Sequence, residues 1–131
     1  MKADDLCFLN AVELARLVRA RSLSPVEVIE AHLSRIEAVN PKINAAVEIM
    51  AETARETARV AEKAVVRGQP LGPFHGVPFS IKDAIAVAGV PSARGSKIFV
   101  GQIPNKDATV VTRMRRAGAV PLMKTNIPEF S

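Results

Sequence analysis

Residues 76–83 read Gly-Val-Pro-Phe-Ser-Ile-Lys-Asp, and residues 117–130 read Ala-Gly-Ala-Val-Pro-Leu-Met-Lys-Thr-Asn-Ile-Pro-Glu-Phe. In the first, Val77 to Ile81 is an apolar run of strand length, entered from a turn-rich link between Gln69 and Gly76. In the second, Ala119 to Met123 reads as another short buried strand. Between them, Asp107 has the character of an N-cap, for a helix with Val110, Met114 and Ala117 on its face and Gly118 as its stop. Strand, crossover helix and strand in this order predict a right-handed parallel βαβ unit. Two parallel strands do not make a stable sheet, and parallel sheets are normally covered on both faces. The expectation is that these strands open a larger sheet and that the chain is the first part of a longer one.

Working outward, the residues before Gly68 follow helical spacing. A first helix is expected from Asn10, with Glu13 placed to close a capping box and Leu14, Leu17 and Val18 as its apolar face. A second starts at Ser24, with Pro25 at the first helical position and Glu27 closing the box, and Asn40-Pro41 is expected to end it. Ile43 to Met50 could be extended. A third helix runs from about Ala51 to Arg67, with Gly68 as a left-handed stop. Its face of Ala51, Ala54, Ala58, Ala61 and Val65 permits close approach but buries little area, so its neighbour is expected beyond this chain. Its other faces carry the pairs Glu52–Arg55 and Glu56–Arg59. The fold class is therefore α/β. Helices over residues 1–67 lead into residues 68–131, the first βαβ part of a mixed sheet covered by helices.

Composition narrows the function classes. An apolar share of 48% in 131 residues is enough for a core, but it must be built from aliphatic residues, since there are five Phe and no Trp or Tyr. The same scarcity argues against a single-strand nucleic-acid platform. The net charge of +5 lies wholly in residues 68–131, and its one dense cluster, Arg113, Arg115 and Arg116, wraps around a helix and forms no stripe. A solvated helix face is the expected reading, and nucleic acid is not expected as a partner. Cys7 is the single cysteine, so no internal disulfide can form. With His32 and His75 it falls short of a metal-ligand cluster, and no metal or other cofactor is expected. No apolar run reaches the roughly 20 residues of a membrane span, and a cytoplasmic chain is expected.

Lys82 is the residue with chemical potential. A lysine at the end of a strand is either desolvated, and then able to act as a general base when neutral, or merely solvated at a strand tip. Spacing alone leaves both readings open, with the solvated one ahead. Asp83 either orients or charge-balances Lys82, or caps the following loop.

Residues 76–83, Gly95-Ser-Lys, Asp107-Ala-Thr-Val-Val and residues 117–130, in that order, closely resemble the opening of the amidase signature family. Residues 23–45 resemble that family's helical lead-in, so the likeness covers essentially the whole chain. The resemblance implies one amidase signature domain, of which residues 1–131 are the amino-terminal part. It implies a serine hydrolase with a Ser–cis-Ser–Lys triad, in which Lys82 accepts a proton relayed through a bridging serine. A second serine attacks the amide carbonyl to form an acyl-enzyme, and backbone N–H groups of a glycine-rich loop hold the oxyanion. It also makes Asp83, Gly95, Ser96, Thr125, Asn126, Glu129 and Phe130 candidates for lining the site. For Gly95 and Ser96 a turn competes with this role, and for the last four the competing role is turn formation and lining of the cleft.

One departure matters. The family carries its two serines in and after a Gly-Gly-Ser-Ser-Gly-Gly type segment, and no two glycines are adjacent here. The expectation is an amidase acting on a small amide substrate in the complete protein, with these 131 residues inactive alone. The alternatives are the glutaminase subunit of a glutamyl-tRNA amidotransferase, and a non-catalytic fragment that self-associates through exposed apolar surface.

Overall fold

The computed structural model describes residues 3–131. Its elements are α1 (Ala3–Leu6), α2 (Ala11–Arg19), α3 (Pro25–Ile43), β1 (Ala46–Ile49), α4 (Ala51–Val66), β2 (Pro78–Lys82), a 3₁₀ turn (Lys97–Phe99), α5 (Thr109–Arg116) and β3 (Val120–Thr125).

The helix starts follow the side chains expected. Asn10 accepts the Glu13 N–H, although the Glu13 carboxylate turns forward to Arg16 and does not close a box. Ser24 and Glu27 form a full capping box with Pro25 at the first turn. The end of α3 differs from expectation. The helix runs through Pro41 to Ile43 and stops at Asn44, in the left-handed region with φ of 49°. Pro41 sits in the last turn, where its missing N–H leaves only the carbonyl of exposed Glu37 to water. The stop then falls to Asn44, whose N–H reaches the Asn40 carbonyl.

The sheet has the order β1-β3-β2. β2 and β3 are parallel and joined through α5, as the βαβ reading required. β1 pairs antiparallel to β3, so the sheet is mixed and draws one strand from between α3 and α4. The alanine face of α4 finds its neighbour within the chain, contrary to expectation. Ala54 and Ala58 are fully buried against Ile29 and Leu33 of α3 and against Val120 and Leu122 of β3. Methyl-sized side chains are what lets α4 lie close to both.

A second cluster joins Leu14, Val18, Val28 and Val65 under the helices, and a third packs Met50, Ile81, Val87 and Val111 where the crossover meets the sheet. α5 differs from its reading in two ways. Its N-cap is Ala108, because the Asp107 carboxylate is taken by the Ala88 N–H and by Arg115. It turns Val111 inward and leaves Val110 more than half exposed. Among the described residues no helix is long and apolar enough to cross a membrane.

Candidate active site

Two lysines stand near the carboxyl ends of the parallel strands, and the fold treats them oppositely. Lys82 ends β2, with Thr125 of β3 as its register partner. Its side chain is exposed and makes no hydrogen bond or ion pair among the described residues. The strand-tip reading thus describes its solvent contact here. Lys124, one residue before the end of β3, has no exposed surface. Its ammonium donates to Asp83 Oδ1 at 3.0 Å, to the Asp83 carbonyl at 3.2 Å and to Ser92 Oγ at 3.2 Å. Ser92 in turn donates to the Asp83 carbonyl at 2.6 Å.

The reason for the contrast is strand geometry. Successive side chains of an extended chain point to opposite faces. With Lys82 turned to solvent, Asp83 turns inward and is 4% exposed. The Asp83 carboxylate, read either as a partner for Lys82 or as a loop cap, balances Lys124. Lys124 and Ser92 have the composition of a Ser–Lys dyad. Both are buried, and the serine proton and the ammonium are committed to Asp83, so neither presents a nucleophile or base to a bound molecule.

The remaining candidate residues divide between a cleft and a clasp. Asp83, Gly95 and Asn126 line one small cleft with Val47, Glu48, Pro91 and Ala93. Asn126 anchors its rim, accepting the Ile127 N–H on its side chain and donating to the Asn44 carbonyl. The clasp holds residues 94–99 against 127–130. Ser96 Oγ donates to Glu129 Oε1 at 2.7 Å, and the Phe130 N–H reaches the Arg94 carbonyl at 3.0 Å. Phe130 meets Phe99 edge to face, with ring centroids 5.8 Å apart.

Gly95 is required there on two counts. Its φ is +68°, and an added Cβ would lie 2.7 Å from the Ile127 carbonyl oxygen. Ser96 also caps the 3₁₀ turn. Gly95 and Ser96 thus make a turn, as one reading had it, and Gly95 of that turn lines the small cleft. His32 and His75 are each tied to a backbone carbonyl, Val28 and Ala61 respectively. Among the described residues no three His, Cys, Asp or Glu side chains are grouped to hold a metal.

Sequence reasoning missed Lys124 and Ser92. Lys124 did carry a weak signal, as the one charged residue in the strand Val-Pro-Leu-Met-Lys-Thr. Its partner lies 41 residues away, and only the parallel register brings the two together.

Residues 27–131 match the family described as Amidase. The chain belongs to this family, the amidase signature enzymes. Among amidase relatives, it is 46% identical over 127 residues to a subunit of the glutamyl-tRNA(Gln) amidotransferase of Acidothermus cellulolyticus, covering 97% of this chain and 25% of the relative. It is 43% identical over 129 residues to the acylamidase of Rhodococcus erythropolis, covering 98% and 27%. The peptide amidase of Stenotrophomonas maltophilia superposes with a TM-score of 0.90 at 31% identity, over 98% of this chain and 26% of that enzyme. This chain spans about a quarter of the length of the amidase relatives it matches.

Proposed function

We infer that residues 1–131 form the amino-terminal part of an amide hydrolase domain and that Lys82 is its proton acceptor. One observation carries this reading. Lys82 lies within the stretch that matches the Amidase family, at the carboxyl end of β2 where open α/β sheets gather their ligands, and its amine is uncommitted, whereas that of Lys124 is held by Asp83. In the amidase scheme that amine takes the proton relayed from the nucleophilic serine through a bridging serine. Attack on the amide carbonyl then gives an acyl-enzyme and releases the amine, and water completes the hydrolysis. Both serines and the oxyanion loop are supplied from outside the 131 residues. The cleft edged by Asp83, Gly95 and Asn126 forms one wall for a small amide substrate. These residues alone do not turn over amides, because they carry the base without the nucleophile.

The test is labelling by a fluorophosphonate serine probe, run on the 131-residue chain and on a polypeptide extended through a Gly-Ser-rich segment. The reading expects labelling and amide hydrolysis in the extended form only. Turnover by the 131-residue chain that disappears in Lys82→Ala would overturn the division of labour.

A second reading rests on the likeness to the amidotransferase. In it the same site releases ammonia from glutamine within a complex of several chains, in the cytoplasm. Hydrolysis of simple acyl amides by the extended polypeptide alone supports the first reading. Glutaminase activity that appears only with partner proteins supports the second.

A further inference from the structure

The Lys124, Asp83 and Ser92 cluster has no part in the proposed chemistry, yet it is the most completely buried polar group described in the chain. Lys124 is 0% exposed, and Asp83 and Ser92 are each 4% exposed. Taking an ammonium and a carboxylate out of water is costly, and apolar side chains of similar volume would serve stability as well. Three donors on the ammonium meet three oxygen contacts, so nothing is left over for a ligand.

What the cluster does is join three separate pieces of chain at one point. Lys124 belongs to β3, Asp83 follows the last residue of β2, and Ser92 lies in the loop that walls the cleft. The Asp83 N–H adds a bond to the Thr125 carbonyl at 3.1 Å. Lys82 is therefore bracketed in the chain by Ile81, buried in the core, and by Asp83, pinned to Lys124. Its backbone is fixed while its amine stays free.

We propose that Lys124 is a positioning residue: through Asp83 and Ser92 it fixes the backbone from which Lys82 projects its amine. The proposal rests on Lys82 being the proton acceptor. Its role differs from that of a core residue because its loss displaces the base while every side chain that lines the cleft is retained. The cost is thus expected in kcat, with KM held.

The test uses the polypeptide extended through a Gly-Ser-rich segment, with three variants assayed for amide hydrolysis. Lys82→Ala reports on the proton-acceptor reading itself. Ser92→Ala removes one ligand of the ammonium with little change in shape. The double variant Asp83→Asn with Lys124→Met removes both buried charges together, so it folds even if Lys124→Met alone does not. Ser92→Ala and the double variant are expected to lose about ten- to a hundredfold in kcat, the scale of a small misplacement of a reacting group, and Ser92→Ala, which changes no side chain that lines the cleft, to keep KM within about twofold. Retention of wild-type kcat by both, while Lys82→Ala is inactive, would overturn the positioning role alone. Unchanged activity in Lys82→Ala would overturn the proton-acceptor reading and the positioning role with it.

A readout independent of turnover is reductive methylation with ¹³C-formaldehyde. Lys82 is expected to be labelled in the native protein and Lys124 only after denaturation. Equal labelling of the two would show that the ammonium is not held as proposed.

Discussion

At the scale of single residues, what separates the two lysines is the company each strand end provides. Lys82 leaves β2 with no partner among the described residues, whereas Lys124 is closed in by a carboxylate, a carbonyl and a hydroxyl. Breaking a buried pair from one side strands the other charge. Lys124→Met is therefore expected to destabilise the fold by about 3–5 kcal/mol, read by urea unfolding, and the addition of Asp83→Asn to recover much of that loss. A single substitution that costs nothing would show that Asp83 does not depend on Lys124. This pairing also marks what the sequence could and could not disclose. The place of Lys82 at the end of β2 and the flanking motifs were legible because they are contiguous. For Asp83 local spacing offers only its neighbour Lys82 or a loop cap, since the register that carries it to Lys124 lies in the fold.

Secondary-structure elements were legible where side chains cap their own backbone. Ser24, Pro25 and Glu27 start α3, and Gly68 stops the chain after α4 with φ of +65°, both as read. The readings failed where a tertiary partner claimed the capping group. Asp107 turned to Ala88 and Arg115, and α5 began one residue later at an uncapped alanine. The packing of α4 was misjudged for a related reason. Its alanines permit close approach but bury little area, and what they approach, α3 and β3, lies within the chain. Ala58 has no exposed surface. Ala58→Leu is thus expected to cost about 1–3 kcal/mol through overpacking, seen as a lower denaturation midpoint with an unchanged m-value. A gain in stability would mean that the contact between α3 and α4 is loose.

For the molecule as a whole, the helices and sheet are held by cores with few charges inside, and electrostatics tune the surface. Arg55 joins α4 to α3 through a two-point hydrogen bond with Glu30 at 2.7 and 3.1 Å. That hydrogen bond, with the charges of Arg55 and Arg59, holds the Glu30 carboxyl below its ordinary value despite partial desolvation. A depressed carboxylate stabilises the fold above its ordinary unfolded value of 4.5, and the contribution is lost as pH falls through the folded one. Glu30 is 44% exposed, so solvent screens the pair and the effect is small. Glu30→Gln is expected to lower Tm by about 1–3 °C near neutral pH and to leave it unchanged at about pH 2. A difference that persists in acid would assign the effect to packing and not to charge.

Lys82, the accessible lysine at the mouth of the parallel strands, is the residue on which the proposed chemistry depends. Its most direct test is kcat for amide hydrolysis by a polypeptide that joins these residues to the serine-bearing segment, measured for the natural sequence and for Lys82→Ala. Loss of general-base assistance predicts a fall of about 10²–10⁴-fold with the thermal midpoint preserved. A variant that keeps kcat within about twofold, with its fold intact, would contradict the assignment of Lys82 as the proton acceptor.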